Sequence, residues 1–146
     1  MNVVSLRART LCLIWAACAA SCLAGPSKIH WITDYPTAVR LAAKTHRLLV
    51  VDFYANYCPD CHKLEKLTYP SAKLASFLNS GFIPVKLNVE IKKNIRVANK
   101  FDVSPLPDIV VITPAGRAVG DWIGYKSPAA FMAAVHQLAS QARQRP

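Results

Sequence analysis

The sequence contains few cysteines, and most of them lie near the N-terminus. Five occur in 146 residues, and three of these, Cys12, Cys18 and Cys22, precede residue 25. Only Cys58 and Cys61 follow. Small domains that depend on disulfides for stability carry several cysteine pairs. The isolated pair in the body of the chain is therefore better suited to chemistry than to cross-linking.

Acidic residues are also scarce. The chain has 8 Asp and Glu against 18 Lys and Arg, a formal net charge of +10. The basic residues are spread along the chain, and the only local cluster is Lys92, Lys93 and Arg96. No nucleic-acid-binding motif accompanies them, so we predict a solvated basic surface and no nucleic-acid partner. A hydrophobic content of 53% excludes a disordered chain, and the length suits one domain.

The sequence lacks an apolar run long enough to cross a bilayer, which takes about 20 residues. The best candidate, residues 11–20, follows two arginines and is followed by Cys22-Leu23-Ala24, which ends in a small residue suited to cleavage before Gly25. This pattern predicts a secretory signal over residues 1–24 and a periplasmic or secreted location for the mature chain. Two alternatives stay open: an uncleaved segment that anchors the chain, and lipidation of Cys22.

Strand and helix patterns alternate along the rest of the chain. They predict an α/β fold, with a mixed sheet of about four to five strands and helices on both faces. We expect a linker over residues 25–32, the domain over 33–142 and a polar tail over 143–146, frayed from Gln141 onward. The predicted elements are, in order, helix 34–45, strand 48–54, helix 59–67, helix 72–79, strand 82–89, helix 92–100, strands 109–113 and 117–123, and helix 128–142.

The Cys-x-x-Cys motif formed by Cys58, Pro59, Asp60 and Cys61 directly follows the strand over residues 48–54. The motif lies at the start of a predicted helix, where unpaired backbone N–H groups and the helix dipole favour negative charge. These conditions favour the thiolate, which is the reactive form of cysteine. A strand that presents such a dithiol at the end of a sheet is suited to thiol–disulfide exchange.

The sequence resembles the thioredoxin superfamily over residues 33–138. Within it, the chain is most similar to the C-terminal thioredoxin-like domain of the transmembrane thiol:disulfide interchange protein (DsbD type). A proline 46 positions after the second cysteine makes the resemblance more specific than the cysteine pair alone. The resemblance implies a thioredoxin fold. The segments that carry it are 51–61, 62–69, 85–89, 101–107 and 124–125.

The resemblance implies roles for the cysteines and their surroundings. Cys58 would attack a substrate disulfide, and Cys61 would resolve the mixed disulfide, leaving a redox disulfide between the two. Pro107 matches the cis-proline of the superfamily, next to which a substrate segment pairs with the backbone. The residues implied in substrate binding are Tyr57, Pro59, Asp60, Leu106 and Pro107.

The chain departs from the superfamily pattern at three places near the motif. Tyr57 stands where thioredoxins usually carry tryptophan, and Pro59-Asp60 replaces Gly-Pro. Asp108 stands where threonine is common. An acid beside the thiols, such as Asp60, opposes thiolate formation.

Two acids match the catalytic carboxylates of the interchange-protein domain. Asp52 precedes Cys58 by six residues, and Glu65 follows it by seven. A buried carboxylate near a thiolate raises both pKa values and can relay the proton of the resolving cysteine. Lys86 matches a lysine of the superfamily near the buried acid. Simpler interpretations stay open: a strand-end acid for Asp52 and a solvated helix acid for Glu65.

The resemblance implies an enzyme, a protein-disulfide reductase without a dissociable cofactor or a metal. Its substrates would be protein disulfides and dithiols, and its electron donor a membrane thiol:disulfide interchange protein. The direction of electron flow follows from the resemblance alone, and an oxidase or isomerase stays open. The sequence does not indicate an oligomeric state.

Three other functions remain as alternatives. The motif with His62 formally matches c-type haem attachment, although Met132 is the only methionine beyond the initiator as a further ligand. Zinc is disfavoured because no second Cys-x-x-Cys or histidine pair completes a site of four ligands. A non-catalytic binding module built on the same fold is the third alternative.

Overall fold

The structure is a computed structural model that describes residues 28–144. The predicted signal over residues 1–24 and the last two residues of the predicted tail lie outside this range. No helix within it has the length and hydrophobicity needed to cross a membrane.

The described chain forms five α-helices and four β-strands in the predicted order. The strands are β1 (Leu49–Tyr54), β2 (Ile83–Asn88), β3 (Asp108–Ile112) and β4 (Ala118–Ile123). The helices are α1 (Tyr35–Thr45), α2 (Pro59–Lys63), α3 (Ala72–Gly81), α4 (Lys92–Lys100) and α5 (Pro128–Gln144). A π-helical segment, Leu64–Thr68, continues α2.

The four strands form one sheet in the order β2-β1-β3-β4. β1 runs parallel to β2 and antiparallel to β3, and β4 is antiparallel to β3. The predicted mixed sheet with helices on both faces is therefore confirmed. The C-terminal end of β1 leads directly into the Cys-x-x-Cys loop, which places the motif at one end of the central strand.

Two apolar layers cover the sheet. Val50 of β1 packs with α3 and α5 on one face, and Val51 packs with α1 and α4 on the other. Alternate side chains of a strand point to opposite faces, so a strand with both faces covered is apolar along its length. Asp52 breaks this run, because it is a carboxylate in the fully buried part of β1.

Polar side chains set the starts of two helices. Asp34 Oδ2 accepts the Thr37 N–H at 3.1 Å at the start of α1, as expected. Ser71 Oγ accepts the Leu74 N–H at 3.3 Å at the start of α3. Such caps satisfy N–H groups that have no partner within the helix. Pro70 lies between the π-helical segment and α3, where its missing N–H ends the first run.

The structure adds detail at both ends of the predicted domain. Within the predicted linker, the Ile32 N–H donates to Pro84 and its carbonyl accepts from Lys86, both at 2.9 Å, so this segment extends the sheet beyond β2. The chain is also helical to Gln144, past the predicted limit at 142 and the fraying expected from Gln141. Ala139 of α5 is buried in the apolar layer with α3, and this packing holds the last turns in helical form.

Candidate active site

Cys58 and Cys61 are joined by a disulfide at the start of α2. Their Cα atoms lie 5.3 Å apart, and the two residues are 5% and 4% exposed. Cys58 is the N-cap of α2, and its Sγ accepts the Cys61 N–H at 3.2 Å. An N–H aimed at this sulfur stabilises negative charge on it, so the geometry favours a thiolate at Cys58 once the disulfide is reduced.

The loop before Cys58 is held by hydrogen bonds to two neighbouring elements. His62 Nε2 lies 2.8 Å from the Asn56 carbonyl, which only accepts, so Nε2 carries the proton. The Asn56 N–H donates to Glu90 Oε2 at 2.7 Å. The loop is therefore fixed to α2 on one side and to the segment after β2 on the other.

A groove of about 540 Å³ opens beside Cys58. Three of the five residues implied in substrate binding line it: Tyr57, Pro59 and Leu106. Tyr57 is 72% exposed, and Leu106 packs against the disulfide. The rest of the wall comes from α4 and from residues 103–105.

The other two residues lie outside this lining. Pro107 is buried behind the groove, and its carbonyl accepts the Gly124 N–H at 2.8 Å. The Ser104–Pro105 and Leu106–Pro107 peptide bonds are both cis. Asp60 Oδ1 is 2.8 Å from Lys63 Nζ, so a lysine on the same helix partly offsets its charge.

Asp52 lies in β1 and is 2% exposed. Tyr69 donates its hydroxyl to Asp52 Oδ2 at 2.8 Å, and Lys86 Nζ is 3.8 Å from the same oxygen. Burial raises the pKa of Asp52 to about 6, against the lowering effects of the Lys86 charge and the Tyr69 hydrogen bond. Asp52 Oδ1 has no hydrogen-bond partner within residues 28–144.

Lys86 joins the two predicted acids. Its Nζ forms an ion pair with Glu65 Oε1 in addition to the pair with Asp52 Oδ2. Burial lowers the pKa of Lys86, while the Asp52 charge raises it. A second cavity, of about 220 Å³, is lined by Cys61, Glu65 and Lys86 among others. The structure thus brings both acids to one lysine, and that lysine lines a cavity together with Cys61.

The aromatic surroundings of Lys86 are a feature that the sequence analysis missed. Its Nζ lies 4.6 Å from the ring centre of Tyr54, 5.0 Å from that of Tyr69 and 5.7 Å from that of Trp31. Cation–π attraction favours the charged lysine here, against the effect of burial. The three rings come from distant parts of the chain, and no local pattern indicated that they meet.

Asp108 is a second buried carboxylate, directly after Pro107. It is 3% exposed, and its Oδ1 has no partner among the described residues. Burial, with the nearby Asp121 charge, raises its pKa to about 6. The aspartate that departs from the superfamily pattern is therefore destabilised in its charged form.

The part of the chain that is described contains no group of three or more His, Cys, Asp or Glu side chains placed to hold a metal ion. Cys58 and Cys61 are bonded to each other, and His62 is directed to a backbone carbonyl.

Comparison with known proteins agrees with this geometry. The sequence matches the thioredoxin-like domain family over residues 35–139. The chain belongs to this family. Its relatives include the thiol:disulfide interchange protein DsbD of Ralstonia nicotianae, 22% identical over 121 residues that cover 82% of this chain and 20% of that protein. A protein disulfide-isomerase of Ricinus communis is 30% identical over 82 residues, 54% of this chain and 16% of the relative. The chain thus spans a fifth or less of these relatives.

Solved structures show the same fold. A thioredoxin from Thermus thermophilus superposes with a TM-score of 0.69 at 24% identity, covering 77% of this chain and 88% of that one. The oxidised C-terminal domain of Neisseria meningitidis DsbD gives a TM-score of 0.63 at 17% identity, covering 73% and 97%. The predicted thioredoxin fold and the similarity to DsbD are confirmed. Family membership and the bonded Cys58–Cys61 pair together support a thiol–disulfide oxidoreductase.

Proposed function

We propose that the chain is an exported thiol–disulfide oxidoreductase that reduces disulfides of other proteins. The observation that carries the proposal is the placement of Cys58. Its sulfur accepts the Cys61 N–H at 3.2 Å and borders an open groove, while Cys61 lies one helical turn further in. This arrangement allows Cys58 to contact a substrate, while Cys61 stays close enough to attack the Cys58 sulfur afterwards.

The proposed reaction begins from the reduced dithiol. The Cys58 thiolate attacks one sulfur of the substrate disulfide, forms a mixed disulfide and releases the other substrate sulfur as a thiolate. Cys61 then loses its proton and attacks the Cys58 sulfur, which releases the second substrate thiolate. The substrate gains two electrons, and the protein ends with the Cys58–Cys61 disulfide.

We propose that the charged cluster of Asp52, Lys86 and Glu65 takes up the proton that Cys61 loses. Asp52, with its pKa of about 6, accepts a proton near neutral pH better than an ordinary aspartate. Lys86 lies between Asp52 and Glu65, and the cavity that Cys61 shares with Glu65 and Lys86 offers a route to solvent. In this proposal Lys86 and Glu65 set the charge state of Asp52 and pass the proton outward.

The substrate side of the proposal rests on the loop before β3. Leu106 contacts the disulfide, and within residues 28–144 its backbone makes no loop or cap hydrogen bond. A backbone free of such bonds is available to pair with an extended substrate segment, as in strand addition. Tyr57 and Pro59 close the groove on the opposite side.

The reductase direction and the donor follow from similarity. The DsbD relative is named as a thiol:disulfide interchange protein, and a membrane protein of this kind is the proposed source of electrons. Export follows from the signal pattern over residues 1–24.

The geometry favours dithiol chemistry over haem attachment. Haem attachment converts both sulfurs to thioethers and uses the histidine as an iron ligand. Here the sulfurs are bonded to each other at 4–5% exposure, and His62 Nε2 is 2.8 Å from a carbonyl oxygen. A Soret band in the absorption spectrum of the exported protein would overturn this interpretation.

Two measurements test the proposal. Reduction of insulin in the presence of a dithiol donor should be catalysed by the wild-type chain and not by Cys58→Ser; equal activity would refute the assignment of Cys58. The equilibrium of the Cys58–Cys61 couple with glutathione then sets the direction. A strongly reducing couple supports the reductase, and a strongly oxidising one indicates an oxidase or isomerase.

A further inference from the structure

The basic cluster of α4 borders the groove beside the disulfide. Ile95, Ala98 and Asn99 of this helix line the groove. Residues three or four apart share a helix face, so Lys92 lies beside Ile95 and Asn99 follows Arg96 on the outer side. Lys92 and Arg96 are both exposed. The α4 wall of the groove therefore combines apolar lining residues with a cationic rim.

Neither rim cation is engaged by an acid of the described chain. The ion pairs within residues 28–144 include neither Lys92 nor Arg96. Lys93, which points to another side of the helix, is 3.2 Å from Asp34 Oδ1. The cations nearest the groove thus keep their charge available to a ligand, while their neighbour is already paired.

Two carboxylates lie at the ends of α4. Glu90 is occupied by the Asn56 N–H, which it accepts at 2.7 Å. Asp102 lies just past the C-terminus of the helix, at a positive φ of 53°. Between them α4 carries four cations and no acid, so this side of the groove remains net positive.

The groove itself is mostly apolar. Its walls include Val89, Val103 and Leu106, and Tyr57 and Ile95 are 72% and 41% exposed. Exposed apolar side chains around a concave site indicate contact with an apolar group of a partner.

We infer that the substrates are proteins whose reactive cysteine lies in an extended segment that presents an apolar side chain to this groove and carboxylates to Lys92 and Arg96. The inference rests on the proposed function and names its substrate class. The argument is charge complementarity along a groove that passes the sulfur of Cys58.

Peptides that differ only in charge test the inference. Each carries one cysteine as a mixed disulfide with 2-mercaptoethanol, an apolar neighbour, and flanking residues that are glutamate, glutamine or lysine. The reduced protein supplies both electrons: Cys58 bonds to the peptide sulfur and 2-mercaptoethanol leaves as a thiolate, and then Cys61 displaces the peptide thiolate. At low salt we expect a second-order rate constant about tenfold higher for the glutamate peptide than for the lysine peptide. High salt should remove this difference.

Two matched double charge reversals test whether the preference arises from Lys92 and Arg96. Lys92→Glu with Arg96→Glu should abolish or invert the preference. Lys73→Glu with Arg143→Glu makes the same change of charge on α3 and α5, on the opposite layer, and should keep it. Equal rates for the three peptides with the wild type, or the same loss in both double variants, would overturn the inference.

The uncharged disulfide of 2-mercaptoethanol separates this inference from the proposed function. The wild type and the Lys73→Glu, Arg143→Glu control should reduce it at the same rate, and Cys58→Ser should not. Reduction of this compound without any peptide preference would refute the substrate class alone. Failure of the wild type to reduce any disulfide would refute the proposed function.

Discussion

The two cysteines of the disulfide face different surroundings. Cys58 borders an apolar groove of about 540 Å³, whereas Cys61 borders a cavity of about 220 Å³ that it shares with Glu65 and Lys86. The first side has exposed apolar side chains, and the second has an ion pair between Lys86, whose side chain is mostly buried, and the half-exposed Glu65. The difference indicates a division of work between two sulfurs: one side is shaped to hold a substrate, and the other to handle a proton.

The first prediction separates the two sulfurs and has the largest effect. Cys61→Ser should accumulate a mixed disulfide, because Cys58 still attacks but nothing resolves the product. Cys58→Ser should form none, since Cys61 does not line the substrate groove that Cys58 borders. Mass spectrometry of each reduced variant after mixing with a disulfide peptide measures the adduct.

One result of the same experiment would contradict the prediction. An adduct of equal yield on Cys58→Ser and Cys61→Ser would mean that both sulfurs meet substrates equally, and the comparison between the two sides would fail. Both variants have the same change in size, so a general loss of folding would affect both and appear in their circular dichroism.

The second prediction concerns the charged side alone, through Asp52→Asn. The pKa of Asp52 is about 6 in the folded state, against an ordinary pKa of 3.8 for an aspartate carboxyl. The raised pKa stabilises the folded state while the carboxyl is protonated. This contribution to the free energy of unfolding is present in full below pH 3.8 and is lost as the pH rises through about 6. A difference of about two units corresponds to about 3 kcal/mol of destabilisation at pH 7 and above. The introduced asparagine cannot ionise, so the free energy of unfolding of Asp52→Asn, measured relative to wild type, should rise by up to this amount between acidic and neutral pH.

Urea unfolding of the oxidised proteins at pH 4 and pH 8 measures that gain. Asp52→Asn should also slow the resolution of a preformed mixed disulfide by about a hundredfold at neutral pH, the usual contribution of a positioned base. A variant that is more stable at neutral pH but resolves at the wild-type rate would show that the acid is buried for another reason. The rate of attack by Cys58 on 2-mercaptoethanol disulfide serves as the comparison from the other side.

The sequence predicted the local parts of this site well and the long-range parts poorly. The order of elements follows from short strand and helix patterns along the chain, and it agrees with the structure. Asp52 lies in the buried strand that one of these patterns predicted. The meeting of Trp31, Tyr54 and Tyr69 around Lys86 depends on packing between distant segments, which periodicity does not encode. The pairing of Ile32 with β2 was not predicted for the same reason, because a single bridge has too short a pattern to recognise.

The third prediction tests whether Lys86 tunes the buried acid. Its charge lowers the pKa of Asp52, so Lys86→Met should raise that pKa above about 6. Lys93→Met removes a lysine that pairs with the surface residue Asp34 at 3.2 Å and should leave Asp52 unchanged. Carboxyl-carbon NMR titration of the oxidised proteins gives both values. An unchanged or lower pKa in Lys86→Met would show that the buried lysine does not interact with Asp52 as the 3.8 Å separation requires.

The smallest expected effect comes from the outermost member of the charged cluster. The Glu65 side chain is 45% exposed, and an ion pair in contact with solvent contributes less than about 1 kcal/mol. Glu65→Gln should therefore leave the free energy of unfolding nearly unchanged and slow resolution much less than Asp52→Asn does. If the two variants slowed resolution equally, removal of the Cys61 proton would depend on Glu65 as much as on the buried Asp52. The inner and outer carboxylates would then act as one unit, and the gradient from buried Asp52 to exposed Glu65 would have no functional meaning.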